Sequence, residues 1–259
     1  MALCRDEALR RRRTNQKRRL LLEGGGDPLF DEVYLLMPFE GSNNDTSTTD
    51  SSGHNHTITR EGTGSIISDA DQYFGNTSTY VDDGSGASGW TAGPDDLFTV
   101  YDNEPWTVEF FYKTTGGQSA DSAFFHSGGI TVGIDNFRRI TINIFVNGNQ
   151  NLTNLTQTYG TDHDTWYHVA LVRDTVDEEA YLYINGVSSL TGGGGSEFPT
   201  NIPNTALCGN AAINTCSVGY NSTVGLSTTY IDSLRWTHGT CRYPGGTTFD
   251  IPEEDFPTS

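Results

Sequence analysis

Apolar and polar side chains alternate with a period of two in several parts of this chain. The stretch 106–115, WTVEFFYKTT, places every second residue from Trp106 to Tyr112 on one apolar side. Successive side chains of a β-strand point to opposite faces of a sheet, so this alternation predicts a strand. Alternation also predicts a strand at 138–148, and an apolar run with Pro38 near its end predicts an edge strand at 33–39. Further strands are predicted at 165–174, 179–187 and 229–237.

Turn-forming residues separate these segments. Asn147-Gly148 and Asn185-Gly186 are strong signals for tight turns because Asn and Gly tolerate positive φ. The chain end with Pro252 and Pro257 predicts an extended strap, and no amphipathic helix is evident after residue 26. Short strands that recur over about 230 residues therefore predict an all-β fold, one large antiparallel sandwich of two sheets.

The first 26 residues differ sharply from the rest in charge. Residues 1–22 hold eight of the 15 Lys and Arg side chains and two acids, a net charge of +6; the remainder carries seven basic and 31 acidic side chains, a net charge of −24. Helix-forming residues and the flexible hinge Gly24-Gly25-Gly26 predict a basic N-terminal arm at 1–26, helical where it orders, before one domain at 27–259. The arm residues expected to contact a partner are Arg5, Arg10, Arg11, Arg12, Arg13, Lys17, Arg18, Arg19, Leu20, Leu21 and Leu22.

The partner of the arm is open to several interpretations. An arginine block is typical of nucleic-acid binding, of nuclear import and of docking on an acidic protein surface. We expect docking, because the arginine fork binds carboxylates bidentately and stays charged. Packaged DNA is the competing partner, since eight basic residues neutralise several phosphates, and a solvated tail is the plain alternative.

The length of the apolar runs and the positions of the cysteines limit the classes of protein to which this chain can belong. No stretch reaches the roughly 18 apolar residues of a membrane span, and Leu20 to Leu22 form too short a run for the core of a signal peptide. The sequence thus predicts synthesis in a cytosol, without membrane contact. The absence of a CxxC pair argues against a structural zinc site, whereas Cys208 and Cys216 either pair or remain free thiols.

Four segments in the same order resemble the laminin-G-like, concanavalin A-type jelly roll. They are DEVYLLMPFEGSNNDTSTTDSSGHNHTITREG, WTVEFFYKT, TWYHVALVRD with AYLYINGV, and YIDSLRWTHGTCRYPGGTTFDIPEEDFP. The resemblance covers roughly residues 28–257 and is nearest to versions in bacteriophage and marine viral structural proteins. It implies a two-sheet jelly-roll sandwich with a binding or structural role.

The resemblance also implies a structural calcium site. In many relatives a calcium ion, which takes six to eight oxygen ligands, ties an early loop to the closing strand. The matching positions are Asp50, carbonyl groups near Gly53 and Asn55, and Asp232, with Glu40 as a further oxygen donor. The alternative is that Asp50 makes a hydrogen-bonded turn and that Asp232 is a solvated or hydrogen-bonded strand residue.

Catalysis is not expected from the acidic residues. Some enzymes on this sandwich carry the spacing E-x-D-x-x-E, because retaining hydrolysis needs two carboxylates about 5 Å apart. That spacing does not occur, and the dense cluster Asp177-Glu178-Glu179 falls in a turn. His163 and His168 lie near acids but without a nucleophile in an elbow context, so the sequence predicts no enzyme activity.

Glycan recognition needs exposed aromatic rings with hydrogen-bonding groups beside them. Trp90, between glycines in SGASGW, is the best loop candidate, although a ring pinned onto the sandwich is the alternative. The weaker candidates are Tyr80, Tyr101, Tyr159 and Tyr220. The other three tryptophans lie in strands and are expected to pack in the core or on a sheet face.

Together these features predict a non-enzymatic accessory protein of a phage virion. The sandwich would be assembled in the host cytoplasm and displayed in many copies on the particle surface, with residues 1–22 docked on capsid or tail proteins. A host-surface glycan-binding adhesin or tail-fibre receptor-binding module is the alternative. A secreted adhesion domain and an enzyme follow in that order, and whether the chain forms a homo-oligomer is open.

Overall fold

The computed structural model describes residues 26–82, 88–99, 101–116, 122–147, 149–156, 160–188, 200–210, 212–219, 226, 228–246 and 248–259. The arm residues Arg5 to Leu22 lie outside the described residues. So do Tyr159 and Tyr220.

Strands dominate the described residues and form two sheets in which every pairing is antiparallel. The first sheet contains β1 (Val33–Met37), β3 (Ser65–Ser68), β4 (Ser78–Val81), β7 (Trp106–Thr114), β12 (Tyr167–Asp174), β13 (Glu179–Ile184), β14 (Val187–Ser188), β15 (Thr200–Asn201) and β18 (Thr229–His238). The second contains β2 (Ile58–Glu61), β5 (Gly89–Ala92), β6 (Tyr101–Asp102), β8 (Ser122–Ser127), β9 (Ile130–Ile134), β10 (Ile140–Val146), β11 (Asn149–Thr156), β16 (Cys208–Gly209) and β17 (Cys216–Val218).

Strand order places β7 and β18 at the centre of the first sheet. That sheet runs β14-β13-β12-β7-β18-β4-β3, with β1 also paired to β18 and β15 to β13. The second runs β2-β5-β17-β8-β9-β10-β16-β6, with β11 paired to β10. All six strands predicted from the sequence are present, which confirms the two-sheet antiparallel sandwich.

The main core lies between the two sheets. The predicted inward side of β7, from Trp106 to Tyr112, is fully buried, and the ring of Phe110 lies 5.2 Å from that of Phe124 in β8. Trp106 and Trp236 are core residues, as the sequence predicted. Burial of apolar surface at about 25 cal/mol per Å² makes this layer the principal source of stability.

Helical structure in the described residues is limited to three 3₁₀ turns: Phe30–Glu32, Asp96–Phe98 and Pro244–Gly246. None of the described helices is long and apolar enough to cross a membrane. Cys208 and Cys216 are free and buried in β16 and β17, and burial raises the pKa of the Cys208 thiol to about 11.

A second layer of packing covers the outer face of the first sheet. Phe111 of β7 contacts Tyr73 (ring centroids 4.1 Å apart), Phe74 and Phe256, while Tyr183 of β13 contacts the stacked pair Tyr243 and Phe249. The strap predicted from the proline-containing end thus lies over this face. Every residue of β7 is buried because both of its faces are covered.

Candidate functional site

Small polar side chains form one row across the outer face of the second sheet. Strand register aligns them across six neighbouring strands, β2, β5, β17, β8, β9 and β10. We call this set the polar row: Thr59, Thr91, Ser217, His126, Thr131 and Asn143. At about 4.8 Å between strands, the row is about 24 Å long.

Local sequence explains why these side chains face outward. The residues that flank them, such as Phe125 beside His126 and Val132 beside Thr131, are buried in the core between the sheets. An antiparallel sheet with one packed face and one solvated face produces this alternation. In 130–134 and 140–146 the sequence shows apolar residues that alternate with threonine and asparagine. The sequence analysis did not assign a function to these polar positions.

The chemistry of the polar row is neutral. Burial lowers the pKa of His126, so at neutral pH its ring is uncharged and offers one donor and one acceptor. Hydroxyl groups and the amide of Asn143 both donate and accept hydrogen bonds. At one end the hydroxyl of Thr91 donates to Glu61 Oε1 at 2.8 Å. Such a set matches a ligand rich in hydroxyl groups.

Asp50 holds an early loop against β1. Its carboxylate accepts the backbone N–H groups of Leu36 (3.0 Å), Ser52 (2.9 Å) and His56 (2.9 Å) and lies 2.7 Å from His56 Nδ1. The hydrogen bond from the Ser52 N–H closes the turn that the sequence analysis gave as the alternative to a calcium ligand at Asp50. Gly53 and Asn55 are exposed in the same loop.

Asp232 lies in β18 with a different set of partners. It is 0% exposed, and its Oδ2 accepts the backbone N–H groups of Tyr73 (2.8 Å) and Phe74 (2.9 Å). Burial raises the pKa of Asp232 to about 7, and the charges of Asp255 and Glu40 add to this effect. The carboxylate of Glu40 accepts the N–H of Asn76 at 3.1 Å.

The structure therefore brings Glu40 close to Asp232 and gives Asp50 its own donors. Backbone N–H groups already donate to oxygens of both Asp50 and Asp232. This is the hydrogen-bonded alternative to a calcium site that the sequence analysis named. Within the described ranges, no group of three or more His, Cys, Asp or Glu side chains is placed to hold a metal ion. The calcium bridge remains a prediction.

Trp90 requires a correction. It lies in β5 and is 1% exposed, and its indole N–H donates to Thr79 Oγ1 at 2.8 Å. The ring therefore offers no face to a sugar in solution. The flanking glycines suggested a loop, but the strand begins at Gly89 and its alternation directs Trp90 inward. Tyr80 is half-buried against Tyr230.

The acidic groups considered for catalysis have structural partners. Asp177 accepts the hydroxyl of Tyr181 at 3.1 Å, and Glu178 accepts the N–H of Asn204 at 3.1 Å. His168 is buried 3.3 Å from Glu109 beneath the strap. Asp232, the carboxyl group whose pKa rises to about 7, lies on the first sheet and away from the polar row.

Comparison with known proteins agrees with this architecture. A family model described as the concanavalin A-like lectin/glucanases superfamily matches residues 82–238. No curated protein sequence resembles this chain closely enough to match it.

Two solved structures illustrate the structural similarity. Domain 4 of the extracellular arabinanase AbnA from Geobacillus stearothermophilus, solved in complex with arabinotriose, is 20% identical with a TM-score of 0.55, covering 80% of this chain and 93% of that domain. The receptor binding domain of botulinum neurotoxin D is 14% identical with a TM-score of 0.51, covering 86% of this chain and 51% of that one. This chain thus spans about half of the toxin domain, and at these identities both likenesses show the fold alone.

Proposed function

Because the chain belongs to the concanavalin A-like lectin/glucanase superfamily, we propose that it is a non-catalytic carbohydrate-binding protein and that the polar row contacts the sugar. The observation that carries the proposal is the row of neutral donors and acceptors, in which Thr59 is exposed, Ser217 is buried and the other four side chains are half-buried. Sugar hydroxyl groups both donate and accept, and the row offers them partners over about 24 Å, enough for several sugar units. The arabinotriose complex of the AbnA domain lends support by analogy of fold.

A binding role is favoured over hydrolysis because, in the part of the chain that the structure describes, hydrogen bonds link a single carboxylate to the row. Glycoside hydrolysis commonly needs two carboxylates, about 5 Å apart in retaining enzymes and about 6.5–9.5 Å apart in inverting ones. Among the described residues, Glu61 is the carboxylate hydrogen-bonded to a member of the row, and it accepts from Thr91. One carboxylate supplies neither arrangement.

A glycan array tests the proposal directly. The full-length protein, labelled and multimerised on a scaffold, is applied to neutral and acidic oligosaccharides including arabinotriose. For a bound oligosaccharide, Thr131→Val and His126→Ala should each weaken binding about three- to tenfold, because each removes a hydrogen bond worth about 0.5–1.5 kcal/mol. Thr49→Val, at an exposed loop threonine, is the control and should bind like the unmodified protein. Absence of any signal would overturn the carbohydrate proposal.

As a second role we propose display on a virus particle, with the sandwich held by the segment that precedes Asp27. Asp27 accepts Arg235 Nη1 (3.0 Å) and Arg242 Nη2 (2.8 Å), and its N–H donates to the carbonyl of Ser259 at 2.8 Å. The described part of the chain therefore begins at a fixed point on the covered side of the sandwich. Anchoring there would leave the polar row on the other sheet free for a host glycan.

We accordingly propose that residues 1–22 dock on acidic surfaces of capsid or tail proteins, in a virion assembled in the host cytoplasm. Display in many copies would convert weak single-site sugar binding into useful avidity. Deleting residues 1–22 should leave a folded sandwich that no longer joins the particle when both are expressed together. Normal incorporation of the truncated chain would contradict the anchor, and contacts of the arm with nucleic acid alone would reassign its partner.

A further inference from the structure

The turn between β9 and β10 presents an aromatic ring to solvent. Phe137 is 66% exposed, the largest exposed fraction among the big hydrophobic side chains of the described residues. It lies between Asn136 and two arginines, Arg138 and Arg139. We call residues 135–139 the Phe137 tip. An exposed aromatic side chain flanked by cations is a feature that fold stability does not require.

The carboxylate of Asp135 makes the tip rigid. Its Oδ1 accepts the N–H groups of Phe137 and Arg139, both at 2.9 Å. Its Oδ2 lies 2.7 Å from Arg139 Nε and 2.6 Å from Arg139 Nη2. Phe137 is thus held in place before any ligand arrives, which lowers the entropy that binding must overcome.

The backbone of Arg138 adopts a conformation that favours glycine. Its φ is 60°, in the left-handed region where non-glycine residues other than Asn and Asp are uncommon. The side chain is nevertheless ordered: Nε donates to the carbonyl of Thr161 at 2.7 Å, and Nη1 lies 2.5 Å from His163 Nε2. A guanidinium group occupies a position that glycine would fill with less backbone strain, which indicates a use for the charge.

Most other cations of the acidic body are enclosed. Seven Lys and Arg side chains follow residue 22, and four of them lie in buried or nearly buried contacts: Lys113, Arg173, Arg235 and Arg242. The remaining three are Arg60, Arg138 and Arg139, and two of these belong to the Phe137 tip. Because Asp135 neutralises Arg139, the tip carries one net positive charge, that of Arg138, on a body with a net charge of −24. Such a body repels long polyanions but admits a small ligand with a single negative group.

We propose that the Phe137 tip binds the carboxylate-bearing unit of an acidic sugar, such as a uronic or sialic acid. Arg139 is already paired with Asp135, so the charge-assisted hydrogen bond to the ligand carboxylate would come from the Arg138 guanidinium. The negative face of the phenyl ring attracts the C–H face of a sugar, and Arg139 lies 5.0 Å from the ring centroid, which leaves the rest of the exposed ring available.

The tip also lies within reach of the polar row. Thr131 of the row lies in β9, whose last residue, Ile134, directly precedes Asp135, so about 13 Å of extended chain separates Thr131 from the tip. One oligosaccharide can therefore contact both places. This inference rests on the proposed carbohydrate function and names its ligand class.

The test compares acidic saccharides with neutral counterparts on the full-length chain. The probes are sialyllactose against lactose, and tri-galacturonic acid against its methyl ester, with dissociation constants measured by calorimetry at two salt concentrations. Arg138→Gly suits the backbone and removes the guanidinium, and Phe137→Ala removes the ring. Arg138→Gly should weaken binding of an acidic probe at least about tenfold and leave the neutral counterpart unchanged, and added salt should weaken only the acidic probe. Phe137→Ala should weaken binding of the acid and of its methyl ester alike, because both present the same C–H face to the ring.

Matched controls separate the tip from general effects. Arg60→Gln removes one positive charge elsewhere, and Val176→Ala removes another exposed apolar side chain; neither should change binding. Thermal unfolding should show that all four variants are folded. A loss of binding to the acidic probes in the two tip variants, and in neither control variant, supports the inference. This holds even when variants of the polar row have no effect.

Three results would overturn the inference in distinguishable ways. Equal affinity for acidic and neutral forms, with row variants still weakening both, would remove the tip as a site and leave the carbohydrate function standing. No binding of any saccharide would remove both proposals. Equal or tighter binding of a poly-glutamate peptide at the tip would replace the sugar by an acidic protein segment.

Discussion

The outer faces of the two sheets have opposite characters. The strap at 239–259 and the loop at 73–74 cover the first sheet, and charged residues of β7 and β18 are buried beneath them. The outer face of the second sheet carries the polar row. The covered face shows how a strand can be buried on both sides, whereas the uncovered face keeps the one-sided alternation of a solvated sheet.

A buried ion cluster lies under the strap on the covered face. Arg235 of β18 lies 2.7 Å from Glu109 and 3.0 Å from Asp27, and the hydroxyl of Tyr243 donates to Glu109 at 2.6 Å. Burial by itself would raise the pKa of Glu109, but Arg235 and His168 outweigh it and hold that pKa well below its usual value. Glu109 therefore stabilises the fold at neutral pH, and this contribution is lost as pH falls through and below the pKa of an unfolded glutamate, about 4.

The largest expected loss of stability comes from removing a buried charge under the strap on the covered face. Arg235→Met should lower the free energy of unfolding by about 3–5 kcal/mol, because it removes the cation that contacts Glu109 most closely and leaves Asp27 with Arg242 alone. Denaturant unfolding at neutral pH measures the loss. Arg60→Met, at a partly exposed arginine, is the control and should change stability by at most about 1 kcal/mol. Similar losses in both variants would contradict the contrast between the two faces.

A second prediction uses the raised pKa of Asp232. Its folded pKa of about 7 lies above the unfolded value, so the protonated form is favoured in the fold and stability falls as pH rises from about 4 to 7. Asp232→Asn keeps an acceptor for Tyr73 and Phe74 and removes the titration. In the presence of a chelator, its advantage over the unmodified protein should grow across this window, to roughly 2–4 kcal/mol. A difference that is constant with pH would refute the assignment.

The calcium prediction gives the next effect in size. If calcium bridges Asp50 and Asp232, a chelator should lower the melting temperature and added calcium should restore it. At a concentration 100 times its dissociation constant, the ion adds about 2.7 kcal/mol of stability. The response should disappear in Asp232→Ala. A melting temperature that ignores chelator and calcium alike would show that the N–H groups around Asp50 and Asp232 suffice.

The smallest expected change in stability is that of a substitution in the polar row of the second sheet. Thr131→Val replaces a half-exposed hydroxyl with a methyl group of similar shape, so stability should change by no more than about 0.5 kcal/mol. The same change should weaken sugar binding, which thermal unfolding and glycan titration measure together. A large loss of stability would mean that the polar row serves packing rather than recognition.

Local sequence predicted the elements well where alternation was long. The strand predicted at 106–115 is observed at Trp106–Thr114, and the one at 229–237 is observed at Thr229–His238. Shorter strands such as Gly89–Ala92 were missed because four residues with a glycine carry little periodic signal. That omission also placed Trp90 in a loop.

The candidate sites were harder to predict because their residues come from distant parts of the chain. The polar row needs the register of six strands, and the Phe137 tip needs Thr161 and His163 from a separate segment. No local pattern reports such neighbours. The sequence showed a phenylalanine beside two arginines, but it did not show that the ring is exposed to solvent.

By itself, the sequence determined the two-sheet sandwich, since period-two alternation and turn residues act locally. Only the tertiary structure decided which polar residues face water. Glu109 and Arg235 sit at positions that alternation assigns to the outside of a strand, yet both are buried. The reason is that the strap returns from far along the chain to cover them, and their charges are satisfied by each other and by Asp27. Thr131 and His126 occupy equivalent outward positions on the second sheet, and both keep the half-exposed surface that alternation alone predicts.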